Sequence, residues 1–151
     1  VGRYHDWFTK LIKNDLSENE MEIYQKWLAE YDFIFDCSTD DDLMYLLNQL
    51  EFNGKVINLS ITNHANELVC GISPNNYRFV IHQFGKILKN DAIDMYNPTG
   101  CWSPTFKASY NDVATLTQYA LKIINGMIDT KRLTNFVIHY DENQNLKLEK
   151  F

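Results

Sequence analysis

Alternating apolar and polar residues in the middle of the chain constrain the fold more than any other feature. The run Lys55–Thr62 is apolar at every second position, with Ile57, Leu59 and Ile61 on one face. This period of two is typical of a strand that packs one face on a core. Asn53-Gly54 before the run and Asn63–Asn66 after it are turn sequences, and Glu67–Ile72 resumes an alternating pattern. The sequence therefore predicts a sheet in this region.

The stretch Ile72–Gly100 is interpreted as a further pair of strands. Tyr77, Phe79 and Ile81 alternate with Arg78, Val80 and His82. Phe84-Gly85-Lys86 is interpreted as a turn, after which Ala92–Tyr96 alternates again. This interpretation puts His82 and Asp94 on neighbouring strands.

Helical spacing of apolar residues dominates the two ends of the chain. A capping box at Ser17–Glu20 precedes one helical stripe, and Ser38 or Thr39 is expected to cap a helix that carries leucines up to Leu50. Near the other end, Ser109–Asp112 begins a long helix, and residues 135–151 form a closing hairpin. The predicted class is α+β, with N-terminal helices on an antiparallel sheet and a C-terminal helix and hairpin.

Composition limits the domain count and the classes of partner. A chain of 151 residues with 45% hydrophobic content suits a single domain, residues 1–151. The formal charge of −6 argues against nucleic acid or an anionic membrane as partner and favours a basic one. No apolar run approaches about 18 residues and no signal peptide is visible, so we expect a cytoplasmic protein that acts inside a cell, with delivery from outside left open.

Cysteine usage points to a reduced chain without a metal centre. Cys37, Cys70 and Cys101 are odd in number and widely spaced, with no C-x-x-C. We therefore expect no zinc and no other cofactor. Cys37 is predicted to lie just before a helix, where the helix dipole would stabilise a thiolate. The neighbouring aspartates would raise the thiol pKa instead, so an activated thiol and a small packed side chain both stay open.

Cys37, His82 and Asp94 are the one constellation that suggests chemistry. A catalytic thiol needs a base within hydrogen-bond reach and a third group that orients the base. Asp91 is the substitute for Asp94. Cys101 is a rival nucleophile because Trp102 follows it, but Pro104 disfavours the helix that this role would require.

The order of several segments resembles the papain-fold toxin domains of bacterial polymorphic toxin systems and, more loosely, papain-like cysteine hydrolases and deamidases. The matching segments are Phe35-Asp36-Cys37 with its helix to Leu50, Asn53–Ile57, Ile72–Tyr77, Gly85-Lys86-Ile87 and Asn97–Gly100. The resemblance implies a papain-like core and a cysteine-dependent hydrolase or deamidase that acts on a protein amide as a toxin or effector.

The same resemblance assigns the catalytic roles. Cys37 would be the nucleophile, and the base is expected where Arg78 stands. Arg78 stays protonated, so His82, four residues further on, would take that role and Asp94 would orient it.

The acidic residues around Cys37 support a different class of function. Asp36, Asp40, Asp41 and Asp42 form a concentrated negative patch, which suits a non-catalytic interaction protein such as an immunity protein that blocks a basic toxin. The same aspartates would equally serve as an ordinary solvated helix cap. The expected partner is a protein in either case, as a substrate or as a bound toxin or immunity protein.

Overall fold

The computed structural model describes residues 18–38, 40–49, 53–87 and 110–151. Their helices are α1 (Glu18–Leu28), α2 (Asp41–Gln49), α3 (Asn76–Ile87) and α4 (Tyr110–Asp129). Their strands are β1 (Phe33–Asp36), β2 (Lys55–Thr62), β3 (Glu67–Ile72), β4 (Phe136–Tyr140) and β5 (Leu146–Lys150). The α+β class is confirmed, as are the C-terminal helix and hairpin. None of these helices combines the length and apolar character that crossing a membrane requires.

The five strands form one sheet in the order β1-β2-β3-β4-β5. β1 is parallel to β2, and the other neighbouring strands are antiparallel. The prediction of an antiparallel sheet is therefore wrong at one edge. The reason is that α2 carries the chain from the end of β1 back to the start of β2, which is the connection that a parallel pair requires.

One face of the sheet packs against α4. Ile57 and Leu59 of β2 meet Leu116, Ala120 and Ile124 of α4 in the largest core cluster. Cys70 and Phe136 lie in the same cluster and are fully buried. The apolar face that the alternation in β2 predicted is therefore the face that packs against α4.

The opposite face is covered by the other three helices. Val56 packs with Leu28 of α1 and Leu47 of α2. Val69 packs with Met44 of α2 and Val80 of α3. The described part of the chain thus has three layers, with the sheet between α4 and the group α1–α3.

α3 replaces the strand and turn that the sequence predicted over Tyr77–Lys86. Apolar side chains of α3 that pack with the sheet recur at helical spacing, at Tyr77, Val80, Phe84 and Ile87, and Phe79 packs beside them. Gly85 lies inside the helix and not in a turn. His82 is consequently a helical residue, and the prediction that it shares a strand pair with Asp94 is wrong. Ala92–Tyr96 lie outside the described residues.

Candidate functional site

A groove of about 350 Å³ lies beside β1 at the edge of the sheet. Its walls come from α1, β1 and α2 and include the apolar side chains Trp27, Tyr31, Ile34, Phe35, Leu43 and Leu47. Tyr31 and Phe35 remain 46% and 45% exposed. Large aromatic side chains in this state offer apolar surface that is still in contact with water, which is typical of binding surfaces.

The backbone of β1 has a free side along this groove. Among the described strands, β1 pairs with β2 alone. The Lys55 N–H donates to the Asp32 carbonyl at 2.8 Å, so Asp32 faces β2. Because successive residues of a strand direct their N–H and C=O groups to opposite sides, those of Phe33 and Phe35 face away from β2. β1 therefore offers hydrogen-bonding groups to a further strand.

The chain around the groove is strongly acidic. Six of the residues from 30 to 42 are Asp or Glu, and none is Lys or Arg. Glu30, Asp32, Asp41 and Asp42 are exposed. The pKa of Asp41 is raised, first by partial burial and then by the neighbouring charges of Asp40 and Asp42. The surface thus carries mutually repelling negative charges, which a cationic group would relieve.

Asp36 does not belong to this exposed surface, contrary to the prediction. It is only 4% exposed, and its carboxylate accepts hydrogen bonds from the Ser38 N–H at 3.0 Å and the Ser38 hydroxyl at 2.6 Å. The Asn58 amide donates to the other oxygen at 2.9 Å, and the Ser60 hydroxyl donates to Asn58 Oδ1 at 2.9 Å. Asp36 therefore anchors the end of β1 to β2 through a buried polar row.

Asp40 caps α2 and so has a partly structural role. Its Oδ1 accepts a hydrogen bond from the Leu43 N–H at 2.9 Å, which is the geometry of an N-cap. Ser38 was predicted for that position and lies before it, and Thr39 is outside the described residues. The patch that remains available to a partner consists of Asp41 and Asp42, together with Glu30 and Asp32, which the sequence prediction missed.

The surroundings of Cys37 do not activate its thiol. Cys37 follows β1 directly, and α2 begins only at Asp41, so the thiol is not at the first turn of the helix. Partial burial and then the Asp36 carboxylate raise the pKa of Cys37. Of the two opposing effects that the sequence left open, the one that disfavours the thiolate prevails. Cys70 is buried in the core, and burial raises its pKa as well.

His82 lies at a different place on the molecule. It is exposed on α3 and lines a second cleft with Asn75, Arg78, Phe79 and Asn135. The cleft and the groove share no lining residue. In the described part of the chain, the charge that acts on the Cys37 thiol comes from Asp36, and no hydrogen bond joins Cys37 to His82.

The predicted catalytic set is therefore not assembled among the described residues. Asp94, its substitute Asp91 and the rival thiol Cys101 lie outside them. Within the same residues, no group of three or more His, Cys, Asp or Glu side chains could hold a metal ion.

Comparison with known proteins does not assign the chain to a family. No protein-family model matches the chain, and no curated protein matches it. The resemblance to papain-fold toxin domains accordingly stays a prediction.

Proposed function

We propose that this chain is a non-catalytic interaction protein that binds a basic partner protein at β1 and the adjoining groove. The observation that carries the proposal is the exposed side chain of Phe35 on β1. This side chain is 45% exposed, and it lies on a strand whose outward backbone groups pair with no other described strand. Exposed acidic side chains flank this strand on both sides in sequence.

A partner segment in extended conformation matches these features. Such a segment would pair with β1 through the N–H and C=O groups of Phe33 and Phe35, which is recognition by strand addition. Tyr31 and Phe35 would supply the aromatic anchors that dominate binding energy in many interfaces. The backbone bonds and the anchors together would give affinity.

Charge supports a basic partner in particular. Glu30, Asp32, Asp41 and Asp42 would attract lysines or arginines and repel an acidic segment. The nearest basic side chain on α1, Lys26, is already paired with Glu22 at 2.8 Å. An immunity protein directed against a basic toxin would be one instance of this function.

The alternative, a cysteine hydrolase or deamidase, draws no support from the described residues. A base must lie within hydrogen-bond reach of the nucleophile, whereas Cys37 and His82 line separate cavities. The pKa of the Cys37 thiol is also shifted in the direction that reduces nucleophilicity. The hydrolase function stays an untested prediction.

The proposal is tested with defined peptides and matched variants. The probe is a short peptide in which lysine alternates with valine, and a glutamate–valine peptide is its control. We expect only the lysine peptide to bind and to shift the NMR signals of the Phe33 and Phe35 amides. Phe35→Ala should weaken binding by more than about 1 kcal/mol, as for an interface anchor. Tyr110→Ala removes an aromatic side chain on α4 that is even more exposed than Phe35, and it should not weaken binding.

The charge contribution is tested separately. Asp41→Asn/Asp42→Asn should weaken binding about three- to tenfold at low salt, because exposed charge pairs contribute up to about 1 kcal/mol each. The difference should disappear in 1 M salt, where screening acts over about 3 Å. Asp129→Asn/Glu142→Gln makes the same change in net charge elsewhere and serves as the control. Equal binding of both peptides, or equal weakening by both double variants, would contradict the proposal.

A further inference from the structure

The second cleft, between α3 and the start of β4, differs in charge from the acidic surroundings of the groove beside β1. It has a volume of about 400 Å³ and is lined by Asn75, Arg78, Phe79, His82 and Asn135. No acidic side chain is among these residues, although the chain as a whole carries a net charge of −6. A cleft lined by an arginine and by no acidic side chain, on an acidic protein, is the feature to be explained.

The polar side chains of the cleft are arranged as hydrogen-bond donors. Arg78 and His82 are one helical turn apart, so they lie on the same face of α3. Within the described residues, the side chain of neither one has a hydrogen bond or an ion pair. A guanidinium has five N–H donors and no acceptor. Arg78 is therefore a charged donor with no side-chain partner in the part of the chain that the structure describes.

Asn135 adds a donor whose direction is fixed. Its Oδ1 accepts a hydrogen bond from the Ile72 N–H at 2.7 Å. The acceptor end of the amide is thereby occupied, and the Nδ2 group keeps its two N–H donors for the cleft. The first turn of α3 begins beside it, since the Asn75 carbonyl accepts the Phe79 N–H at 2.9 Å. The positive end of the helix dipole adds to the attraction for an anion.

Phe79 provides the apolar wall of the cleft. Its ring packs against Phe151 with centroids 5.2 Å apart and an angle of 56° between the planes. The cavity volume falls within the range of about 300–1,000 Å³ that is usual for small-molecule sites. The cleft thus combines a place for a small apolar body with donors for an anionic head.

We propose that this cleft binds a small molecule that carries a phosphate or carboxylate group. Arg78 would bind the anionic group through two parallel N–H···O bonds, which is the geometry that guanidinium favours with both anions. Asn135 Nδ2 and His82 would donate to the remaining oxygens. The apolar body of the ligand would lie against Phe79. This site does not depend on partner binding at β1.

The experiment measures the binding of four probes by isothermal titration calorimetry and NMR: phenyl phosphate, benzoate, inorganic phosphate and the neutral benzyl alcohol. We expect saturable one-site binding of the two aromatic anions, weaker binding of inorganic phosphate and none of benzyl alcohol. Tighter binding of phenyl phosphate than of benzoate would identify the ligand as a phosphate, and the reverse order would identify it as a carboxylate. The Asn135 side-chain amide signals should shift on titration.

Matched variants locate the site. Arg78→Gln should weaken anion binding about tenfold or more, since hydrogen bonds to charged groups contribute about 1.5–3 kcal/mol. Arg78→Lys keeps the charge without the paired donors and should have an intermediate effect. Lys122→Gln removes an exposed cation from α4, on the other side of the sheet, and should leave binding unchanged.

Three outcomes would overturn the proposal: no saturable binding of any anion, benzyl alcohol binding as tightly as benzoate, or equal weakening by Lys122→Gln and Arg78→Gln. Circular dichroism of each variant checks that the fold is intact.

Discussion

Replacing Gly71 by alanine tests how closely α3 packs on the sheet. Gly71 lies on β3, opposite Asn58 of β2. A Cβ atom at Gly71 would lie 2.7 Å from Val80 Cγ2 and 2.9 Å from the Asn76 carbonyl oxygen. Carbon atoms in favourable contact are about 3.5–4.0 Å apart. Rotating the valine cannot relieve the second contact, because Asn76 contributes a backbone atom of the helix.

The expected loss of stability follows from two opposing terms. Forcing a methyl group into this contact should cost about 1–3 kcal/mol, as for other overpacked cores. Replacing glycine lowers the entropy of the unfolded chain and returns about 0.4–1 kcal/mol. The difference between these two ranges spans about 0–2.6 kcal/mol, and we expect a net destabilisation near its centre, about 1–2 kcal/mol, for Gly71→Ala. For a chain of this length, that corresponds to a decrease in Tm of about 2–8 °C.

Two other glycines provide matched controls. At Gly85 in α3 and Gly126 in α4, an alanine methyl group would meet no atom of the described residues within 4 Å, apart from the adjoining backbone of its own helix. Alanine is the better helix former by about 0.8–1.0 kcal/mol, so Gly126→Ala should raise Tm and Gly85→Ala, closer to a helix end, should raise it somewhat less. Urea and thermal unfolding followed by circular dichroism measure all three. A rise in stability for Gly71→Ala would refute the close contact, and a fall for Gly85→Ala would refute a helix across residues 84–86.

Three further predictions concern the polar groups. Asp36→Ala should lower the free energy of unfolding, measured in urea, by about 1.5–3 kcal/mol because it leaves the buried Asn58 amide unpaired. Ser60→Ala, at the end of the same polar row, should lower it by only about 1 kcal/mol. Equal effects of the two variants would contradict the role of Asp36 as the anchor of β1. Cys37 should react with iodoacetamide at pH 7 more slowly than a free cysteine peptide, because its pKa is raised; mass-spectrometric mapping that finds faster labelling would favour the hydrolase. The pKa of Asp141 is lowered, chiefly because its carboxylate accepts a hydrogen bond from the Asn145 N–H. The ionised Asp141 should therefore stabilise the fold above its pKa in the unfolded chain, about 3.9. This contribution should be lost as the pH falls through the lower pKa of the folded protein. Asp141→Asn should thus be less stable than wild type at pH 7 and no different at pH 2, and a difference that persists at pH 2 would count against this assignment.

The elements predicted correctly from the sequence are those whose apolar residues follow a single periodicity. β2 and β3 have the predicted bounds because β2 alternates without a competing helical pattern. α3 was missed because two periods coexist there. Tyr77, Phe79 and Ile81 fit a strand, while Tyr77, Val80, Phe84 and Ile87 fit a helix. In the folded protein, the residues at helical spacing pack against Val69 and Val137. Periodicity within the segment alone does not reveal that contact.

The candidate site was only partly predictable for a similar reason. A run of aspartates is expected to be exposed when only local charge is considered, and for Asp41 and Asp42 that interpretation is correct. Burial of Asp36 depends on Asn58, which is 22 residues away in sequence. The signal for it was the polar positions Asn58 and Ser60 inside an otherwise apolar strand, since such groups require a buried polar partner. The parallel pairing of β1 likewise depends on a non-local connection.

The buried row that joins Asp36, Asn58 and Ser60 also fixes the alignment of β1 against its neighbour. Sliding β1 by one residue would turn every side chain to the opposite face. The Asp36 carboxylate would then point into the apolar layer beneath α4, without its amide and hydroxyl partners, at a cost of several kcal/mol. A short four-residue strand at the margin of a sheet would otherwise be free to shift. If a partner strand pairs with β1 as proposed, this fixed alignment would determine which of its alternate side chains lie on the α4 side of the sheet and which lie on the opposite side.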